Sequence, residues 1–270
     1  MSEGKKEILL GDCLKLMKNI PNGSIDMILC DLPYGTTFNH WDSVIPFNDL
    51  WSNYERIIKA NGAIVLFGAE PFSSKLRLSN EKLFRYDWVW DTKKTSSPFL
   101  AKKRPLTQHQ IISVFYKKQP TYNPQDYRKN TIGLMSNKKT PHRSKNFNNN
   151  ENNSCGLIDT KGDNKNEFGY PRSIINQIPV MNNLSSDKSG LHPTQKPIAL
   201  FEYLIKTYTN ENELVLDNTA GSGTTAIACL NTNRQFIVME KEQKYYDIIL
   251  KRVGDFNKNF EPQTLFGNEM

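Results

Sequence analysis

Apolar residues recur along this chain in short blocks, and each block has the length and spacing of a single secondary-structure element. Glu7–Leu10, Ile25–Cys30, Ala63–Phe67 and Leu214–Leu216 are compact apolar runs that stop at Gly, Pro or Asp, a pattern that predicts buried strands. Tyr86–Trp90, Ile111–Tyr116 and Gln235–Met239, carrying aromatic or β-branched residues, predict three more. Between the strands the spacing becomes helical. Helices are expected over Cys13–Met17, Pro46–Lys59 (ended by Asn61-Gly62), Pro71–Lys82, a segment opened by Pro197 with apolar Ile198, Leu200, Phe201, Leu204 and Ile205, then Ala226–Leu230 and Gln243–Phe256. Strands alternating with helices imply an α/β protein: a mostly parallel sheet of seven strands with helices on both faces.

Periodicity fades from about Lys118 to Gly190, where six of the eight residues from Asn146 to Asn153 are Asn. That stretch predicts a loop-rich insert, so residues 1–117 and 191–270 form one packed domain and 118–190 interrupt it. A chain of 270 residues has room for such an arrangement. No apolar run reaches the 18 residues that would span a bilayer, and the N-terminus has no apolar leader, which predicts a cytoplasmic protein. The four cysteines, Cys13, Cys30, Cys155 and Cys229, lie far apart without a CxxC pair or zinc-like His spacing, so reduced thiols and no metal site are expected.

Charge sharpens the division. The net charge is +7, but Lys93–Lys145 holds thirteen Lys or Arg against the single acid Asp126, a net of +12 that leaves −5 for the rest of the chain. A basic segment with interleaved aromatics on an acidic body suits a phosphate-backbone partner.

Two stretches carry candidate chemistry. Asp31-Leu32-Pro33-Tyr34-Gly35 follows a predicted strand directly, so Asp31 falls at a strand's carboxyl end, where open α/β sheets bind ligands. Far along the chain, the strand Leu214–Leu216 runs into Asp217-Asn218-Thr219-Ala220-Gly221-Ser222-Gly223-Thr224-Thr225, and the next strand ends in Glu240. Two glycines in that turn let the main chain approach a ligand, and the following helix N-terminus offers free N–H groups. Glu240 is placed to accept hydrogen bonds from ribose hydroxyls. The loop departs from GxGxxG and has no P-loop lysine, which argues against a polyphosphate. A carboxylate, Asp217, at its entrance suits a cationic cofactor and points to S-adenosylmethionine.

Asp31-Leu-Pro-Tyr34, His192-Pro-Thr-Gln-Lys196-Pro197 and the Asp217–Thr225 loop, in that order, resemble the β-class amino-methyltransferases of DNA, in which the catalytic half precedes the cofactor half. The resemblance spans nearly all of the chain outside 118–190. It implies a Rossmann-like methyltransferase fold, seven strands with one antiparallel, and methyl transfer from S-adenosylmethionine to adenine N6 or cytosine N4 in double-stranded DNA. An acid at the first motif position goes with adenine. The second position is usually Pro, and here it is Leu32; that residue is expected to act through its backbone carbonyl, leaving its side chain replaceable.

By the same resemblance, Asp31 and the Leu32 carbonyl would accept hydrogen bonds from the target amine, Pro33 would stiffen the turn and Tyr34 would stack on an extruded base. Asp12 and Cys13 would line the adenine end of the cofactor, Lys196 and the loop Gly221–Thr224 its methionine end, and Glu240 its ribose; Asp31, Asp217, Asn218 and Ala220 complete the expected cofactor set. Trp41, Asp42 and His192 are expected to shape or brace the site. Lys93, Lys94, Lys102, Lys103, Arg104, Arg128, Lys138, Lys139 and Arg143 are expected to hold DNA, with residues 118–190 recognising the target. A homodimer and a cognate restriction endonuclease are the partners such an enzyme would have, and its work would be on the nucleoid. Three other readings stand beside this one: an N4-cytosine enzyme, a DNA-binding module without activity, and a nicotinamide-dependent oxidoreductase using the glycine loop. A 5-methylcytosine enzyme is disfavoured, because it needs a thiolate after a proline and no proline here precedes a cysteine.

Overall fold

The structure, a computed structural model, describes residues 5–35, 42–96, 98–125, 127–128, 168–169, 171–176, 178 and 195–260. For 127–128, 168–169 and 257–260 it describes the backbone alone. In chain order the elements are β1 (Lys6–Leu10), α1 (Cys13–Leu16), β2 (Ile25–Asp31), α2 (Phe47–Ile57), β3 (Ile58–Gly68), α3 (Phe72–Ser79), β4 (Phe84–Asp91), β5 (His109–Phe115), β6 (Tyr127–Arg128), β7 (Phe168–Gly169), β8 (Ile174–Ile175), α4 (Ile198–Tyr208), β9 (Leu214–Asp217), α5 (Thr224–Asn231), β10 (Gln235–Glu240) and α6 (Gln243–Phe260). Two compact units result: Met1–Asn123 with Arg172–Met270, and Pro124–Pro171. In the second, β6 pairs antiparallel with β7.

The first unit is built on an eight-stranded sheet of order β1-β10-β9-β2-β3-β5-β4-β8. All seven expected strands are present, and the eighth, two-residue β8 adds beside β4 at the edge. Only β5 runs against the rest, pairing antiparallel with both β3 and β4. Two separate apolar clusters cover the faces. On one side Leu200, Leu204, Ala226, Cys229 and Ile249 from α4, α5 and α6 pack on Met27, Val65 and Val238; on the other, Leu50, Tyr54, Phe72 and Leu76 from α2 and α3 pack on Ile28, Leu66 and Met239. Alternation along each strand sends neighbours to opposite clusters, so both faces demand apolar residues and the strands read as continuous runs.

One boundary differs from expectation. Helix α2 stops at Ile57 and β3 begins at once, although Asn61-Gly62 reads as a helix end. Gly62 instead lies inside the strand, where a Cβ would come within 2.8 Å of the Asp26 carbonyl oxygen. Its bare backbone allows close approach to β2 at the point where the register jumps from Ile25↔Ile58 to Met27↔Ala63.

Strand order reverses between β9 and β2. From β2 the chain crosses by α2 to β3 on one side, and from β9 it crosses by α5 to β10 on the other. The carboxyl ends of β2 and β9 therefore diverge around a crevice, which is where this class of sheet binds ligands. Among the described residues, no helix is long and apolar enough to cross a membrane.

Candidate active site

Both candidate stretches end at that crevice. Met27 and Ile28 of β2 pair with Val215 and Leu216 of β9, so Asp31 and Asp217 leave the sheet as neighbours although 186 residues separate them. Thr219 Oγ donates to the Asp31 carbonyl at 3.2 Å, and the Asn218 side-chain oxygen accepts from Cys30 Sγ at 2.9 Å and from Tyr54 Oη at 2.6 Å. A cavity of about 390 Å³ opens here, within the range usual for small ligands. Its walls include Asp12, Cys13, Asp31, Leu32, Pro33, Tyr34, Lys196, Asp217, Asn218, Ala220, Gly221, Ser222, Thr224 and Glu240. The catalytic and cofactor sets expected from sequence thus meet in one space, with the exception of Gly223.

Gly223 stands behind the loop. It caps α5 with φ +82°, and a Cβ would lie 2.9 Å from Ile249 on α6, so this glycine answers to packing. Gly221 also has positive φ (+53°), yet a Cβ there would meet nothing within 4 Å. Gly221→Ala should therefore cost only the left-handed strain, about 1–2 kcal/mol, while Gly223→Ala adds a clash and lowers the unfolding midpoint further. Thermal melts of the two variants side by side test this ordering; equal midpoints would contradict it.

Asp31 is half-buried and held at both oxygens. Tyr34 Oη donates to Oδ1 at 2.6 Å, and Lys196 Nζ donates to Oδ2. The Lys196 ammonium, drawn from just before α4, also lies over the Phe67 ring at 5.4 Å. Expected beside the cofactor, Lys196 is found as the counter-charge of Asp31. The Tyr34 ring leans on Phe72, centroids 5.0 Å apart and planes tilted by 32°. Burial and the adjoining Asp31 push the Tyr34 hydroxyl well above the usual phenol range, so it remains a donor. The Leu32 side chain corrects one expectation. It is buried in the cluster with Ile28, Cys30 and Leu50, so truncating it would open a core void rather than be neutral.

The opposite wall is acidic. Asp217 is 3% exposed, accepting from Thr225 Oγ at one oxygen and from Thr219 N–H at 3.0 Å at the other. Burial, only partly offset by those bonds, pushes its carboxyl up to about 7. Glu240, also raised by burial, receives N–H groups from Gly221, Lys241 and Glu242, each at 2.8 Å. A carboxylate has about four acceptor positions, so one remains for a ligand hydroxyl. Asp12 caps α1 through its bond from Lys15 N–H while also lining the cavity. Burial raises the Cys13 thiol, so this cavity residue is a neutral contact. Asp42 receives the Gly35 N–H at 2.9 Å.

Sequence reading missed several wall residues: Val44, Ile45 and Pro46 before α2, Gln110 on β5, Phe201 on α4 and Tyr245 on α6. Gln110 carried a signal, as a polar residue immediately before the apolar pair Ile111-Ile112. One buried polar atom on the cavity wall, Gln110 Oε1, has no hydrogen-bond partner among the described residues, whereas the Asn218 amide meets the Cys13 thiol. Buried polar groups are nearly always satisfied, so Gln110 Oε1 stands out as an exception beside the cavity. Trp41, His192, Lys138, Lys139 and Arg143 lie outside the described residues, and Arg128 is described only as backbone of β6. Lys94, Lys102, Lys103 and Arg104 are exposed on the loop between β4 and β5. Lys93, with φ +58°, is tied instead to Asp91 by both its N–H (2.9 Å) and its ammonium (2.6 Å).

Comparison with known proteins agrees with this geometry. The DNA adenine methyltransferase YhdJ of Escherichia coli K12 is 27% identical over 264 residues, covering 92% of this chain and 82% of its own. The M1.HpyAVI–SAM complex superposes with a TM-score of 0.59 at 22% identity, over 92% of this chain and 98% of that one. PvuII DNA methyltransferase, cytosine-N4-specific, gives 0.63 at 16% identity, over 94% and 92%. The family model described as DNA methylase matches residues 25–251, and the chain belongs to that family of N6/N4 DNA methylases.

Proposed function

We propose that this protein transfers a methyl group from S-adenosylmethionine to N6 of adenine in a specific sequence of double-stranded DNA. The observation that carries the reading is the single cavity joining Asp31-Leu-Pro-Tyr34 to the Asp217–Thr225 loop and Glu240. S-adenosylmethionine supplies an electrophilic methyl on a sulfonium centre. The protein's residues do the remainder. Asp217 offers a buried carboxylate to a cationic ligand, and Glu240 an acceptor for ribose hydroxyls.

An exocyclic amine is a poor nucleophile because its lone pair is delocalised into the ring. Asp31 and the Leu32 carbonyl accept hydrogen bonds from its two hydrogens, which favours a pyramidal nitrogen and stabilises positive charge as it develops. Tyr34, braced by Phe72, provides a face on which an extruded base stacks, worth roughly 1–3 kcal/mol per base. Gln110 also lines this space. Cytosine N4 would meet the same acceptors; the kinship with YhdJ and the acid at position 31 favour adenine.

We assign DNA contact to Lys94, Lys102, Lys103, Arg104, Arg128, Lys138, Lys139 and Arg143, and target reading to the insert 118–190. Lys93, paired with Asp91, contributes less. A second copy of the chain and a cognate restriction endonuclease are the partners this reading carries; sedimentation and protection of methylated DNA from cleavage test them. The function itself is tested by incubating unmethylated phage DNA with methyl-labelled cofactor and resolving the nucleosides. Labelled N6-methyladenine is expected. Label in N4-methylcytosine would replace the base assignment, and no labelled base would sink the reading.

A further inference from the structure

Phe99 is the most exposed large apolar side chain among the described residues, at 80%. A single exposed apolar residue is ordinary on a protein surface. Three features set this one apart. It sits at the tip of the loop from Asp91 to His109, in a 3-10 turn over Pro98–Leu100. Cations flank it on both sides in sequence, Lys94 before it and Lys102, Lys103 and Arg104 after it. And the loop springs from the cavity's own wall: β4 runs parallel to β2, so Asp91 lies at the same end of the sheet as Asp31, and Gln110, one residue into β5, lines the cavity.

Hydrogen bonds tie the described residues at the loop's base and after the turn. At the loop's base Thr92 N–H donates to the Gln108 carbonyl at 3.0 Å, and Ser96 N–H to that of Thr107 at 2.9 Å. Thr92 Oγ bonds the carbonyls of Lys94 and Gln108, while Asp91 receives Gln108 Nε2 at 3.0 Å along with both Lys93 donors. Nearer the tip, Lys103 and Arg104 N–H groups close on the Leu100 carbonyl at 2.8 and 3.0 Å. An apolar ring held out in water on a hydrogen-bonded turn has less backbone to order when it is used than one on an unpaired loop.

We propose that Phe99 is a wedge that enters the base stack beside the target and fills the gap left by the extruded base. The proposal rests on the reading above that duplex DNA is the substrate. Extruding a base breaks its stacking and leaves an apolar slot in the duplex; an inserted side chain restores part of that contact and slows the base's return. The flanking cations hold the backbone while the ring enters. Phe99 is thus a positioning residue, acting on the DNA and not on the reacting atoms.

The test uses the full chain and a short duplex carrying the sequence that the wild-type enzyme is found to modify in unmethylated phage DNA. With the paired duplex, Phe99→Ala should lower kcat/KM by about tenfold to a hundredfold, and Phe99→Trp should stay near wild type. With the nucleotide opposite the target made abasic, so that the target is already unpaired, the Phe99→Ala deficit should shrink to within about threefold. A 2-aminopurine at the target should brighten on binding wild type and much less on binding Phe99→Ala. An equal deficit on both duplexes, or none on either, would overturn the wedge. Absence of methylation by the wild-type protein would instead remove the functional reading, and binding of labelled cofactor by both proteins shows that each is folded.

Discussion

Asp31→Ala is expected to reduce methyl transfer on the order of a thousandfold, the upper range for losing one preorganised transition-state hydrogen-bonding group, while cofactor affinity stays within about threefold. The split follows from where the groups stand. Asp31 ends β2 on the Tyr34 side of the cavity, whereas Asp217, Asn218 and Glu240 belong to β9, its loop and β10. The substitution has a second consequence, because Asp31 is the partner of the buried Lys196 ammonium. Removing one member of such a pair strands the other charge at a cost of roughly 3–5 kcal/mol, so loss of stability could mimic loss of chemistry. Asp31→Ala with Lys196→Met separates them: the double variant should recover much of the unfolding midpoint and none of the transfer. Single-turnover transfer of labelled methyl, equilibrium dialysis of the cofactor and thermal melts give the three readouts. Transfer by Asp31→Ala within tenfold of wild type would remove Asp31 from the chemistry.

Much of this architecture can be read from the chain because parallel strands covered on both faces must be apolar throughout. Ala63–Phe67 is apolar throughout and Ile25–Cys30 is interrupted only by Asp26, and β2 and β3 fall on those segments. The end of α2 is harder to read, because Asn-Gly is the same signal whether glycine supplies a left-handed cap or bare backbone; only the nearness of the Asp26 carbonyl decides for Gly62. The site divides in the same manner. Asp31, Asp217 and Glu240 are legible because each ends an apolar strand, and strand ends collect ligands. Partners are not legible, since they depend on which strands lie side by side.

Lys196 illustrates the point. Its motif is plain in the sequence, but its bond to Asp31 spans 165 residues and depends on how the segment before α4 is laid against β2. Leu32 shows the converse error. Reasoning from the chemistry of the motif makes its side chain dispensable, whereas its neighbours in space, Ile28, Cys30 and Leu50, make it core. Position 32 thus serves twice on the proposed reading, its carbonyl assigned to the target amine and its side chain packed in the core. Such doubling cannot be seen until the alternation of β2 is known to continue one residue past its end.

Cofactor affinity is expected to climb with pH between about 5 and 7 and then level off, by as much as tenfold per pH unit, through the ionisation of Asp217. Burial raises this carboxyl to about 7 in the ligand-free protein, so near neutrality it carries a proton about half the time. A cationic cofactor beside it favours the charged form and draws the proton off. The direction for folding is the reverse. A carboxyl raised above its unfolded value makes the native state relatively more stable when protonated, so this group's contribution is fully present below about pH 4 and is lost as pH rises to 7. The apoprotein should lose midpoint temperature over the same interval in which the complex gains affinity. Asp217→Asn removes the titration and keeps the shape. It should flatten both profiles and leave affinity at pH 8 near the wild-type value at pH 5, which isolates the side chain from any titration of the cofactor itself. Calorimetry in two buffers of different ionisation enthalpy reads the released proton directly; binding near pH 6.5 without proton release would mean that Asp217 does not face the cofactor's charge.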